Sequence, residues 1–336
     1  MFKDELKEYV ETANLVNMKE CGDGIYVLKY KKKVFYDNLW NEYIAECRGS
    51  IVDKDFNLVA YPFTKIYNYG IEKEAPVLTK DTKVTAHRKV NGFMVAVTMY
   101  KGELLVSTTG STDSPYVVMA RELIDKGRYL EVCKRWAGYT FMFECVHTND
   151  PHIVPEKEGM YILGWRENIW HSPVEHDPFA LINFGSSFGC FVPESVTTNM
   201  VRLQELAKEC KHEGYVFYTD EGVSAKIKSP YYLTSKWVAR NPRTDKLVNM
   251  QADIKHQLDE EYYPLVDAIR ANIVEYTAMD EQARLVWVRN YLEAVGLMRA
   301  ICPLLNRAWC SVYASGQKYV GKFLDAKALR KVLKIG

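Results

Sequence analysis

Along the first 240 residues, apolar and polar positions alternate in short runs. After that point the alternation gives way to helical spacing. Residues 1 to about 17 have an amphipathic helical pattern, and CGDGIYVLKYKKKVFY behind them reads as two strands or a hairpin. RGSIVDKDFNLVAYPF, KVTAHRKV, FMVAVTMYKGELLVSTTG, YTFMFECV, GMYILGWREN and EGYVFYTDEGVSAKIKS are further short strand-like runs, many of them joined by Gly, Asp or Asn turns. Apolar residues recur at three and four over about 114–135 and 197–211, which predicts helices that cover sheet faces or edges. The stretch beyond Asn241-Pro242 has helix-forming composition and no strand alternation. The expected fold is therefore α+β: a domain of mixed antiparallel sheets with flanking helices over 1–240, then a smaller all-helical domain over 241–336.

Composition narrows this picture only slightly. A chain of 336 residues suits one large and one smaller unit, and 48% apolar residues supply a core. A net charge of +1 gives no global attraction to phosphate, so any nucleic-acid binding has to come from a local basic patch. None of the eight cysteines forms a C-x-x-C pair or zinc spacing with histidine, as expected of reduced thiols in the cytoplasm. The start, MFKDELKEYVETANLV, is too charged for a signal peptide or a membrane span. The protein is expected to be cytoplasmic and monomeric.

Candidate chemistry begins at HRKVNGFMVAV. Lys89 stands three residues ahead of Gly92, whose backbone freedom permits a tight turn, and the strand FMVAVTMY anchors that turn. Taken alone, this describes a turn lysine as well as it describes a nucleophile. In AKIKS, Lys226 and Lys228 sit two apart on one sheet face, with Ala225 and Ile227 directed to the other. A lysine attacks only when neutral, and its ordinary pKa of about 10.4 leaves little neutral amine. Neighbouring cations and burial lower that pKa, and the same cations can hold phosphate. Glu144 in FMFECV and Glu213 in EGYVF are strand carboxylates suited to ion pairing, ribose recognition or metal coordination.

K-V-N-G, FMFECV, YILGWRE, EGYVF and AKIKS, in that order, resemble a covalent nucleotidyltransferase of the ligase and capping-enzyme superfamily, and most closely the bacteriophage RNA ligase 1 family. ECRGSIVD around Arg48 and AYPFTKIYNYGIE around Lys65 strengthen the likeness, which covers roughly residues 20 to 240. The resemblance implies a nucleotidyltransferase domain and an ATP-dependent RNA ligase that uses Mg2+ or Mn2+. Lys89 would take AMP, Lys226, Lys228, Arg48 and Lys65 would contact phosphates, and Tyr30 and Gly92 would lie at the ATP site. Glu144 would touch the nucleotide, while Glu213 would support the pocket and its metal. The implied substrate is RNA with 5′-phosphate and 3′-hydroxyl ends, such as a cleaved tRNA, in the host cytoplasm if the protein is phage-encoded.

Asn91 departs from the aspartate commoner in that motif, and Thr109 stands where a basic residue is frequent. DNA ligases and capping enzymes follow the lysine pair with a small β-barrel, and no run of five strands is legible after 240. The alternatives are a capping-type guanylyltransferase or DNA ligase without that barrel, or a non-catalytic RNA-binding protein on the same scaffold. Three further stretches complete the reading: KKK at 31–33 as a solvated turn, DEE at 259–261 as a remote metal candidate, and the basic amphipathic tail as a solvated helix or a phosphate contact.

Overall fold

The computed structural model describes residues 2–125, 128–240 and 263–301. Two compact units emerge, one of residues 1–150 and 156–229, the other of 151–155 with the chain from Pro230 onward. The Asn241-Pro242 position lies outside the described residues.

The first unit runs α1 (Phe2–Thr12), β1 (Val16–Glu20), β2 (Ile25–Tyr30), α2 (Lys32–Tyr36), α3 (Glu42–Glu46), β3 (Arg48–Asp53) and β4 (Leu58–Ala60). It continues through β5 (Lys83–Arg88), β6 (Phe93–Tyr100), β7 (Glu103–Ser107), α4 (Pro115–Ile124), α5 (Tyr129–Arg135), β8 (Tyr139–Val146) and β9 (Gly159–Glu167). It ends with α6 (Pro178–Phe188), β10 (Ser195–Asn199), α7 (Met200–Glu209), β11 (Gly214–Thr219) and β12 (Ser224–Lys228). These strands form three four-stranded sheets, ordered β1-β2-β3-β4, β10-β5-β11-β12 and β7-β6-β8-β9. All of their strand pairs are antiparallel.

Each sheet buries one apolar face under helix. Val95, Val97, Phe141, Phe143 and Ile162 pack with Val117 and Ala120 of α4, Val132 of α5, and Leu181 and Phe188 of α6. Val84, Ala86, Phe217 and Ala225 pack with Leu203 of α7, and Leu28 and Val52 with Leu6 and Val10 of α1. Asparagine and aspartate start three of these helices as their side chains accept an early N–H: Asn41 from Ile44, Asp177 from Ala180 and Asn199 from Arg202.

The α+β reading and the helices over the sheets stand, with local differences. KKKVFY is the helix α2 rather than a strand or a plain turn, because Val34 is fully buried and holds the segment against the body. The helix expected over 114–135 is two, α4 and α5, and the pattern at 197–211 is the end of β10 followed by α7. The six cysteines among the described residues are all free thiols.

The second unit contains α8 (Pro230–Arg240), α9 (Tyr263–Ala271), α10 (Ile273–Ala278) and α11 (Glu281–Ile301), with no strand among its described residues. Tyr232, Leu265, Ile269, Tyr276 and Val288 form its core with Ile153 and Val154. Arg284 ties α11 to α8 by donating to the Ala239 carbonyl at 3.2 Å. The DEE cluster and the basic tail lie outside the described residues. No helix among the described residues is long and apolar enough to cross a membrane.

Candidate active site

Lys89 stands where the chain leaves one sheet for another. β5 ends at Arg88 and β6 begins at Phe93, so residues 89–92 bridge the β10-β5-β11-β12 and β7-β6-β8-β9 sheets. The Lys89 N–H donates to the Gly214 carbonyl at 2.8 Å, which fixes the base of the side chain. A β-carbon at Gly92 would come within 2.2 Å of the Cys145 carbonyl oxygen, so this close turn needs glycine. The Gly92 N–H donates to the buried Glu144 carboxylate at 3.1 Å.

Glu213 organises the cations. One of its oxygens lies 3.0 Å from Lys89 Nζ and 2.8 Å from Asn91 Nδ2, and the other lies 3.3 Å from Lys228 Nζ. The residue is 3% exposed. Burial acts to raise its pKa, but the Lys89 and Lys228 charges and the bonds from Lys89 and Asn91 outweigh it and take the carboxyl down to about 2. Asn91, the departure noted in the motif, thus supplies an amide donor to this carboxylate.

Arg48, Lys89, Glu144 and Lys226 line one pocket, whose cavity is about 110 Å³. Phe63, Ile66, Val90, Met94, Leu163 and Val216 give it apolar walls. Burial, with the charges of Arg48, Lys65, Lys228 and Lys89 added, pushes the Lys226 amine down to about 6. Next to it, Tyr67–Tyr69 runs along β12, donating from the Tyr69 N–H to the Lys226 carbonyl and accepting the Lys226 N–H at Tyr67, both at 2.9 Å. That strip carries Lys65, which pairs with Glu72 at 2.5 Å and sits 4.6 Å over the Trp40 ring and 4.8 Å over Tyr67. Tyr30 packs edge-on against Trp40 at 4.8 Å.

The turn that carries Lys89, the Lys89 and Lys228 ammoniums held on Glu213 and an apolar pocket coincide with a match to known proteins. The family model for RNA ligase matches residues 46–232, more than half of the chain. The chain belongs to this RNA ligase family.

An archaeal ATP-dependent RNA ligase is similar in fold over 99% of this chain and 87% of its own, at 15% identity and a TM-score of 0.50. An Aquifex aeolicus protein described provisionally as an ATP-dependent DNA ligase covers 94% of this chain and 89% of its own, at 14% identity and a TM-score of 0.49. A Naegleria gruberi RNA ligase mutant with ATP and Mn covers 46% and 52%, at 14% identity and a TM-score of 0.36. No curated protein matches the sequence.

Within this RNA ligase the predicted residues fall into three adjoining groups. Lys89, Lys228 and Glu213 share one ionic cluster, Arg48, Lys226 and Glu144 line the pocket, and Tyr30 and Lys65 belong to the aromatic cluster around Trp40. Gly92 shapes the turn.

Three features had no reading in the sequence, and a fourth, Arg88, admitted either the nucleotide or solvent. Arg88 pairs at 2.8 Å with Glu156, whose burial raises its carboxyl pKa against the pull of Arg88. His87 lines the pocket while buried, and neither ring nitrogen has a hydrogen-bond partner among the described residues; a backbone group of His176 lies close, outside bonding geometry. Trp40 bridges Tyr30 and Tyr67. Buried Arg166 donates from Nε to the Tyr61 carbonyl at 3.0 Å, from Nη1 to the Thr64 hydroxyl at 3.2 Å and from Nη2 to the Pro62 carbonyl. Glu46 accepts from the Tyr61 and Thr64 hydroxyls at 2.9 and 3.0 Å. That network braces the strip carrying Phe63, Lys65 and Ile66. Only the period-two rule and the motif turn were available to flag such neighbours in advance, and His87, two residues before Lys89, satisfies that rule.

Proposed function

We propose that this RNA ligase is ATP-dependent and joins RNA 5′-phosphate and 3′-hydroxyl ends through a lysyl-AMP on Lys89. The observation that carries the reading is the placement of Lys89 on a braced turn beside an apolar pocket lined by Arg48 and Lys226. Apolar walls with a single imidazole suit a nucleobase, and the cations suit the phosphates.

In the first step Lys89 releases its ammonium proton to solvent. Its nitrogen bonds to the α-phosphorus of ATP, the bond to pyrophosphate breaks, and the second proton on that nitrogen leaves to solvent as the phosphoramidate forms. Lys226, Lys228 and Arg48 offset the charge on the phosphoryl oxygens. Glu213, held near pKa 2, is too weak a base to take the proton at neutral pH and instead aims the lysine pair. The adenylyl group then passes to an RNA 5′-phosphate, and an RNA 3′-hydroxyl displaces AMP. In a cell this reaction serves RNA repair, a cleaved tRNA loop being one substrate with the required ends.

A divalent cation, Mg2+ or Mn2+, would supply Lewis-acid charge at the phosphoryl oxygens. No group of three or more candidate ligands occurs among the described residues, and Glu213 and Glu144 are engaged by Lys89, Lys228 and the Gly92 N–H. The described residues thus form no all-protein cage for it.

Incubation with α-labelled ATP and a 5′-phosphorylated single-stranded RNA tests the reading. Label on the protein, then a circular RNA, is expected. Label from GTP alone, or sealing of nicked DNA but not RNA, would overturn it.

A further inference from the structure

The segment Lys31–Trp40 carries an exposed surface that the ligase chemistry leaves unused. Phe35 is 60% exposed and Tyr36 76%, and their rings meet edge-on at 5.7 Å. Lys32 and Lys33 beside them are exposed as well. Scattered surface apolar residues are ordinary; two adjacent aromatics next to two lysines on a fixed support are a narrower pattern.

The support comes from both ends of the segment. Val34 is fully buried, and the Leu39 N–H donates to the Val34 carbonyl at 3.0 Å. Trp40, four residues past Tyr36, is held between Tyr30 and Tyr67 with the Lys65 ammonium over its ring. The lysines and aromatic rings thus lie on one short segment with Trp40, whose ring is under the Lys65 ammonium, and Asn38 between them donates to Glu74 at 3.2 Å. Asp37 is the single acidic residue between Lys31 and Trp40.

Exposed aromatic faces beside cations match single-stranded nucleic acid, in which every base offers a π-face and every linkage a negative charge. A folded apolar partner surface would leave Lys32 and Lys33 without a counter-charge. We propose that Lys31–Trp40 is the track on which a single-stranded RNA end lies, with bases stacked on Phe35 and Tyr36 and backbone phosphates facing Lys32 and Lys33. The assignment rests on the RNA-joining reading and extends it to how the strand is gripped outside the pocket. A surface anchored at both ends before binding reduces the ordering cost of a flexible strand.

The experiment compares full-length wild type, Phe35→Ala/Tyr36→Ala and Lys32→Ser/Lys33→Ser. Each is titrated at several salt concentrations into a 5′-phosphorylated single-stranded RNA carrying a 3′ dye that also blocks joining. Transfer of label from ATP to the protein is measured in parallel, and all three should label at the same rate. The aromatic variant should bind RNA about tenfold more weakly or worse, with little change in salt dependence. The lysine variant should flatten the slope of log affinity against log salt by about 1.4. Variants that label normally yet bind RNA within twofold of wild type with an unchanged slope overturn this proposal and leave the ligase reading standing. The proposal falls equally if they lose only a self-association of the wild type. Failure of wild type itself to take label counts against the ligase reading instead.

Discussion

Lys89 and Lys228 approach the same carboxylate from opposite sides, Lys89 at 3.0 Å from one oxygen of Glu213 and Lys228 at 3.3 Å from the other. Two ammoniums that would repel each other are thereby held together by the protein's own carboxylate. The arrangement has a consequence for acid stability. Burial alone would raise the Glu213 pKa, yet the lysines bring it to about 2, whereas an unfolded glutamate titrates at about 4.3. A carboxyl with a depressed folded pKa contributes stability that is present above the unfolded value and is lost as pH falls from about 4.3 toward 2. The difference corresponds to roughly 3 kcal/mol. Glu213→Gln should therefore melt well below wild type at pH 6, and the gap should shrink to about a quarter of that by pH 2.5. Thermal unfolding across that range checks it, and a gap independent of pH would show that the ion pairs are not its source.

Under the proposed mechanism, Lys89→Ala and Lys228→Ala separate the attacking amine from the cations around it. Both should fail to take label from α-labelled ATP. Supplied with pre-adenylylated RNA, Lys89→Ala should still seal, because the covalent step has been bypassed, while Lys228→Ala should lose about tenfold or more for want of a cation at the phosphates. Equal sealing by the two variants would assign them the same role.

Lys226 gives a proton-linkage prediction. Its amine, pushed down mainly by burial and then by four surrounding cations, titrates at about 6 and is mostly neutral at pH 7.5. A bound triphosphate favours the charged form and raises that pKa, so ATP binding should take up close to one proton at pH 7.5. Affinity should accordingly fall as pH rises above 6. Titration calorimetry in buffers of different ionisation enthalpy measures the uptake, and Lys226→Met should abolish it. Wild-type binding heats that do not depend on the buffer would contradict this.

Local sequence was sufficient for what depends on local rules. Period two placed Lys226 and Lys228 opposite Ala225, and Ala225 is indeed buried in the core. The glycine in K-V-N-G announced the turn that Gly92 makes against Cys145. What escaped notice depends on partners brought together by sheet register. Glu156 lies 68 residues from Arg88, and Arg166 reaches Tyr61 across 105. No spacing rule connects such pairs. The lysine run at 31–33 read as a solvated turn because its charges dominate the pattern; of the three apolar residues that follow, only Val34 is buried, and it holds the segment as helix.

Arg166 should prove a stability residue with an effect on nucleotide binding. Its guanidinium is 3% exposed, lies 3.9 Å from Glu46 and donates to the backbone of Tyr61 and Pro62. Arg166→Met would leave the buried Glu46 carboxylate without its counter-charge and two carbonyls without a donor, at a cost of about 3–5 kcal/mol. Glu46→Gln/Arg166→Met removes both charges and should recover part of that loss. Denaturant unfolding of the two variants tests the coupling, and additive losses would place the cost elsewhere than in the pair.

His87 is the residue on which the nucleobase reading of the pocket can be checked. Burial first, then the nearby His176, hold its imidazole at about pKa 4, so it is neutral at physiological pH and offers one donor and one acceptor. Both nitrogens lack hydrogen-bond partners among the described residues, an arrangement that costs stability unless something else supplies them. His87→Leu removes the polar atoms at similar volume and should raise the melting temperature. If a base edge fills that role, the same variant should raise the KM for ATP in the labelling reaction by about tenfold, the worth of one or two lost hydrogen bonds, and leave kcat within a few-fold. His87→Gln, which keeps a donor and an acceptor, should recover part of the KM. A more stable His87→Leu enzyme with unchanged KM would mean that the base lies elsewhere in the pocket.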